Sequence, residues 1–164
     1  MNKKNIYYHV SIENGLNKSL THFTNIIVKI LSDKRTWDRY TFVKTLSSDK
    51  ATIHITLNKP KTIEKICNFK GLSCTDMNNH NVYINANRWF YGAPKSKLKL
   101  KNYREYLINH EIFHAMNGTH NKCQDYEICP ISHQYTLGIP KHSRTTSFPL
   151  KWEKDLLKKL PEIY

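Results

Sequence analysis

The chain is short of acid, of glycine and proline, and of long apolar runs. Of 164 residues, 13 are Asp or Glu against 26 Lys or Arg, a formal net charge of +13. Five glycines and six prolines are too few for a collagen-like or low-complexity chain. No apolar stretch approaches the roughly 20 residues that cross a bilayer, so no membrane span is expected. The start, Met1 to Asn5, is basic but runs straight into strand-like sequence. It has neither an apolar h-region nor a small-residue cleavage site. As written, the chain reads as intracellular, with secretion from a trimmed precursor left open. No repeat and no linker divides it, and the length fits a single domain over residues 1–164 that can bury a core without disulfides.

Cysteine is also sparse. Cys67, Cys74, Cys123 and Cys129 form two local pairs, neither with the close CxxC spacing of a cysteine zinc site. Three disulfide connectivities are open, of which Cys67–Cys74 with Cys123–Cys129 is the most local. Four free thiols in a reducing cell is the competing reading.

What is present is ordinary globular composition, 39% hydrophobic and 24% charged, with a basic surface. Net charge of this size favours acidic partners, nucleic acid among them. The lysines are scattered, however, and the densest run, Lys95, Lys97, Lys99 and Lys101, alternates as a solvated strand or extended loop would. A solvated face is the plainer reading.

Strands are expected over residues 6–12, 40–46, 51–57 and 81–86, from alternation and β-branching. Residues 18–32 carry Leu20, Phe23, Ile26, Ile27, Ile30 and Leu31 at helical spacing. A short helix is expected over 62–67, the clearest helix over 102–117, and a last one over 151–160. Residues 118–149 show little periodicity, and a long irregular stretch in a compact domain is usually functional or mobile.

The helix over 102–117 carries the chemistry. Residues 110–120 read His-Glu-Ile-Phe-His-Ala-Met-Asn-Gly-Thr-His. Side chains four apart on a helix lie one above the other, so His110 and His114 can grip one ion. Glu111, one step round, can reach a metal-bound water without ligating. For His120 to join them the chain must turn sharply, and Asn117-Gly118 supplies residues that tolerate a left-handed backbone. Three imidazoles and one open position is the makeup of a catalytic zinc site. Tyr106, Ile108, Ile112, Phe113 and Met116 make the helix apolar enough to be buried, and buried histidines need partners.

This pattern resembles the metzincin motif HExxHxxGxxH, with Asn117 in place of its glycine. A longer resemblance runs from about Tyr8 to Trp152. Its segments are Tyr8-His9-Val10, Asn14-Gly15-Leu16, Asp33 to Trp37, Cys67, Ser73-Cys74, Val82 to Asn85 and Arg88-Trp89. Tyr103 to Asn109, Cys123, Pro130-Ile131 and Gln134 complete it. In that order they look like the actinobacterial family called domain of unknown function 3152, whose members are predicted metzincin-type peptidases, mostly secreted or membrane-anchored. The resemblance implies an α+β, metzincin-like zincin: a twisted mixed sheet packed on helices, with the active-site helix at about 102–117. It implies one Zn2+ on His110, His114 and His120, Glu111 as catalytic acid/base, and a peptide or protein substrate. No methionine comes after the motif, so Ser132 or His133 stands where a Met-turn methionine belongs.

Other residues have a functional and a plainer role open to them. Tyr135 is expected to stabilise the oxyanion if His133 holds the methionine's place, with loop packing as the plainer role. His133 and His142 support the ligands from behind, compete as a fourth ligand, or lie on the surface. Asn85, Arg88 and Trp89 align substrate or pack a turn. Trp37 and Trp152 are read as core. Two further functions stay in view. One is an inactive zinc-containing binding module, its open position filled by a fourth ligand. The other is a nucleic-acid-associated protease using its basic surface.

Overall fold

The computed structural model describes residues 3–163. The architecture is α+β, with a five-stranded mixed sheet packed against helices. In chain order the main elements are β1 (Lys4–Ile12), α1 (Leu20–Leu31), β2 (Tyr40–Lys44), β3 (Ile53–Asn58), α2 (Pro60–Cys67), β4 (Cys74–Asp76) and β5 (Asn81–Asn85). They continue with α3 (Ala86–Tyr91), α4 (Leu100–Ala115), β6 (Ile128–Cys129), β7 (Arg144–Thr145) and α5 (Lys151–Leu156).

The sheet order is β2-β1-β3-β5-β4. The first four strands run parallel and β4 joins the edge antiparallel to β5. The strand period of two puts Ile6, Tyr8 and Val10, then Ile53, Ile55 and Leu57, then Val82 and Ile84 on one face, and all are buried. Against that face lie the apolar stripe of α1 (Phe23, Ile27, Ile30, Leu31) and α4. Ser19 caps α1, its hydroxyl accepting from the His22 N–H at 3.1 Å. Trp37 stacks on Phe113 of α4 at 5.8 Å between ring centres, and Phe23 meets Trp89 edge-on at 4.8 Å.

From Tyr106 to Ala115 every residue of α4 is buried. Such a helix belongs to the interior on all sides rather than on one stripe, as its apolar residues predict.

Several expectations are corrected. Neither β4 nor α3 is signalled in the residue pattern. Both are too short to show a period: β4 spans three residues and α3 six. The alternating lysines lie on no strand; residues 94–96 form a 3-10 turn that leads into α4, with all four lysines exposed. Trp152 is 44% exposed and is not core. The cysteines are paired as Cys67–Cys74 and Cys123–Cys129, the most local of the three connectivities. The first ties α2 to the edge strand β4. The second closes a small ring within the irregular stretch.

Candidate metal centre

The helix period delivers His110 and His114 to one side of α4, as the four-residue spacing requires. The turn at the end of α4 brings in the third imidazole. Asn117 takes a left-handed backbone, φ 68°. The Gly118 N–H donates to the Phe113 carbonyl at 2.8 Å and the Asn117 N–H to the His114 carbonyl at 2.9 Å. These two bonds are a Schellman ending.

The structure divides the roles of the two turn residues, which the sequence left open. The left-handed position belongs to Asn117, not Gly118. Glycine is needed at 118 for room, since a Cβ there would lie 2.5 Å from three carbons of the Phe113 ring. Two residues on, His120 reaches the other two histidines.

The three Nε2 atoms form a nearly equilateral triangle. His110 to His114 is 3.2 Å, His114 to His120 is 3.1 Å, and His120 to His110 is 3.3 Å. The far side of two rings is fixed by carbonyls: His110 Nδ1 lies 2.6 Å from the Ile131 oxygen and His114 Nδ1 lies 2.7 Å from the Gly118 oxygen. A carbonyl only accepts, so both Nδ1 atoms carry the proton and both Nε2 atoms present lone pairs. Hydrogen bonds therefore cannot satisfy the pair of Nε2 atoms facing each other across the triangle. A cation can. A tetrahedral ion bound at 2.0–2.1 Å by nitrogen holds its donors about 3.3 Å apart, close to the spacing found. These three residues could together hold a metal ion.

Electrostatics agree. Burial pushes the His110 imidazole well below its ordinary range and His114 down to about 4, and it lowers His120 as well. All three are neutral at neutral pH, the state a metal ligand needs.

Glu111 is buried beside them. Burial raises its carboxyl to about 7, against a lowering hydrogen bond from Thr75. The Thr75 hydroxyl lies 2.7 Å from Glu111 Oε2 and 3.1 Å from the Glu111 carbonyl. Thr75 belongs to β4, so the edge strand, packed along α4, is hydrogen-bonded to it through this side chain.

The floor under His110 is the segment Pro130–His133. Ile131 and Ser132 are fully buried. Asn121, next to the third ligand, donates its N–H to the Ser132 carbonyl at 3.2 Å. Beneath this segment sits Glu153 of α5, also fully buried. Its carboxylate accepts from Ser132 N–H at 2.9 Å, Leu150 N–H at 2.8 Å and Ile131 N–H at 3.2 Å. Burial raises the Glu153 carboxyl, and these bonds oppose the shift.

Other expected site residues fall elsewhere. Tyr135 is fully buried, stacked on Tyr106 with ring centres 4.1 Å apart. Its hydroxyl donates to the Cys129 carbonyl and accepts from Thr146 N–H, so packing within the loop is the role it fills, not oxyanion contact. His133 is not a fourth ligand, for its Nδ1 accepts from Cys123 N–H and its Nε2 faces the Gly138 carbonyl at 3.1 Å. His142 lies on the surface against Asp125. Asn85 caps α3 and Arg88 donates to the Gly71 carbonyl, so these two serve the turn, while Trp89 is core.

Sequence reasoning missed Thr75 and Glu153. Thr75 lies on a strand too short to see. Glu153, at the third position of α5, carried only the ordinary signal of a helix cap.

No curated protein and no solved structure matches the chain. A family model does match, over residues 1–154. The chain therefore belongs to the family described as Protein of unknown function (DUF3152).

Proposed function

We propose that the protein is a zinc-dependent peptidase of metzincin-like design, with His110, His114 and His120 holding the metal and Glu111 as general base. The observation that carries this is the triangle of three neutral Nε2 atoms with a buried carboxylate on the adjacent helix position. Zinc is favoured over other ions by an all-imidazole, three-ligand set. When bound there, zinc lowers the pKa of a coordinated water and polarises a carbonyl.

The chain's own residues do the rest. Thr75 holds Glu111 Oε2, which leaves Oε1 to take the proton from the attacking water and hand it to the departing amine. The Ile131 and Gly118 carbonyls fix the tautomers of His110 and His114 so that both Nε2 atoms stay free of protons. A peptide or protein is the substrate class. The two disulfides favour an oxidising compartment, against the intracellular expectation.

The test is metal content by elemental analysis of wild type beside His114→Ala, then a peptide-library screen with Glu111→Ala as the blank. About one zinc per chain, lost in the histidine variant, with cleavage lost in the glutamate variant, is the expected result. Wild type that takes up no zinc even when supplied with it would overturn the reading.

A further inference from the structure

A buried carboxylate usually has a cation or a catalytic task. Glu153 has neither in the mechanism above. It is fully buried, and its polar partners among the described residues are the N–H groups of Leu150, Ile131 and Ser132, together with the Ser132 hydroxyl. All three N–H groups donate, so both carboxylate oxygens accept. Three backbone N–H groups converging on one carboxyl favour its ionised form, against the burial that raises it.

One of these bonds reaches the metal centre. The Ser132 N–H that donates to Glu153 Oε1 at 2.9 Å belongs to the same peptide group as the Ile131 carbonyl. That carbonyl accepts the hydrogen bond from His110 Nδ1–H, with 2.6 Å between nitrogen and oxygen. The atoms therefore form an unbroken line: carboxylate, peptide N–H, peptide C=O, imidazole Nδ1–H, and Nε2 facing the ion.

A carboxylate on the N–H side of an amide draws that hydrogen toward itself and leaves more negative charge on the carbonyl oxygen. Hydrogen bonds in series strengthen one another in this way. A stronger acceptor at Nδ1 makes the imidazole a better donor at Nε2, as a carboxylate bonded directly to a ligating histidine does. His114 lacks such an arrangement. Its acceptor is the Gly118 carbonyl, at the end of its own helix. The two helical ligands are thus fixed by similar bonds but backed differently.

We infer that Glu153 is a positioning residue of the metal centre, acting through the Ile131–Ser132 peptide to orient His110 and strengthen it as a ligand. The inference rests on the metal centre proposed above. Glu153 also holds the floor in place, because the Ser132 carbonyl accepts from Asn121, one residue beyond the third ligand. One buried carboxylate thereby steadies the supports of His110 and His120 together, in a segment that lacks the methionine a metzincin would place there.

The experiment compares wild type with Glu153→Gln. Zinc affinity is read by chelator competition, and the ring N–H resonances of His110 and His114 by NMR of the zinc-loaded proteins. Groups that hold a metal ligand from behind typically matter by about 10–100-fold in affinity. The expected result is a loss in that range, with the His110 Nδ1 proton moving upfield and the His114 proton unmoved. A merely structural Glu153 would lower the melting temperature and leave that contrast between the two rings absent.

A folded variant with affinity within about twofold of wild type and both resonances in place would overturn the inference while leaving the metal centre standing. Wild type that binds no zinc would overturn both. If Glu153→Gln does not fold, the carbon-13 shift of the Glu153 carboxyl in zinc-loaded wild type at pH 7 decides. An ionised group supports the relay, and a protonated one overturns it.

Discussion

The hydroxyl of Thr75 lies 2.7 Å from the carboxylate of Glu111, joining the edge strand of the sheet to the helix that carries the candidate metal ligands. Hydrogen bonds to a charged group are worth about 1.5–3 kcal/mol. Thr75→Val keeps the shape and removes the bond. Turnover is expected to fall by about tenfold or more with zinc content unchanged, and Thr75→Ser to restore most of it. Steady-state kinetics on a peptide substrate, with metal analysis in parallel, checks this. Equal rates in the valine variant would remove Thr75 from the catalytic arrangement.

The turn after α4 makes opposite demands on two neighbours. Gly118→Ala puts a methyl against the Phe113 ring, which packing of this kind resists by about 1–3 kcal/mol. It also displaces the carbonyl that orients His114, so zinc affinity falls with stability. Asn117 is left-handed, and Asn117→Gly should be close to neutral. Asn117→Val should lose about 1–2 kcal/mol. Denaturant midpoints of the three variants test the ordering. A tolerated alanine at 118 would contradict the geometry.

This turn also shows how far the sequence can be read. The four-residue spacing of the histidines and the need for a turn before His120 are legible, because helix geometry fixes them. Which of Asn117 and Gly118 is left-handed is not, because both tolerate it and the choice depends on where the Phe113 ring lies. The longer helical and strand patterns are legible for the same reason, since each repeats its period several times. The strand β4 and its Thr75 are not, for three residues show no period and the bond to Glu111 spans 36 positions. The cysteine pairing is the one that folding makes closest, but spacing alone leaves three connectivities open.

Metal-free protein should lose stability on acidification, with a definite sign. His114 titrates near 4 in the folded chain and about 6.5 when unfolded. Between those values the unfolded state binds more protons, so stability falls as pH falls, by about 3 kcal/mol at pH 4 from this group. Glu111 acts oppositely. Raised to about 7, it binds its proton more tightly when folded, so its contribution weakens as pH rises from about 4.5 to 7. Glu111→Gln removes this opposing slope. The metal-free variant should therefore lose stability more steeply than wild type as pH drops from about 6.5 to about 4.5. Urea unfolding across that range measures it, and parallel curves would refute the assignment.

The Cys67–Cys74 disulfide closes a short loop onto β4. Replacing both cysteines by serine should cost about 2 kcal/mol of stability. Because β4 carries Thr75, turnover should fall as well, and more than in a Cys123→Ser, Cys129→Ser variant, while zinc stays bound in both. Chemical unfolding and peptide hydrolysis of the two double variants separate the effects. Unchanged turnover without Cys67–Cys74 would show that β4 holds its place unaided.

From Tyr106 to Ala115, α4 is enclosed on every side. A helix so walled in has no free flank on which new contacts could arise without disturbing the interior. Of the three histidines only His120, which lies beyond the helix, is exposed, so the cluster meets solvent on the side of the irregular stretch, where Tyr126 and Leu137 also stand out.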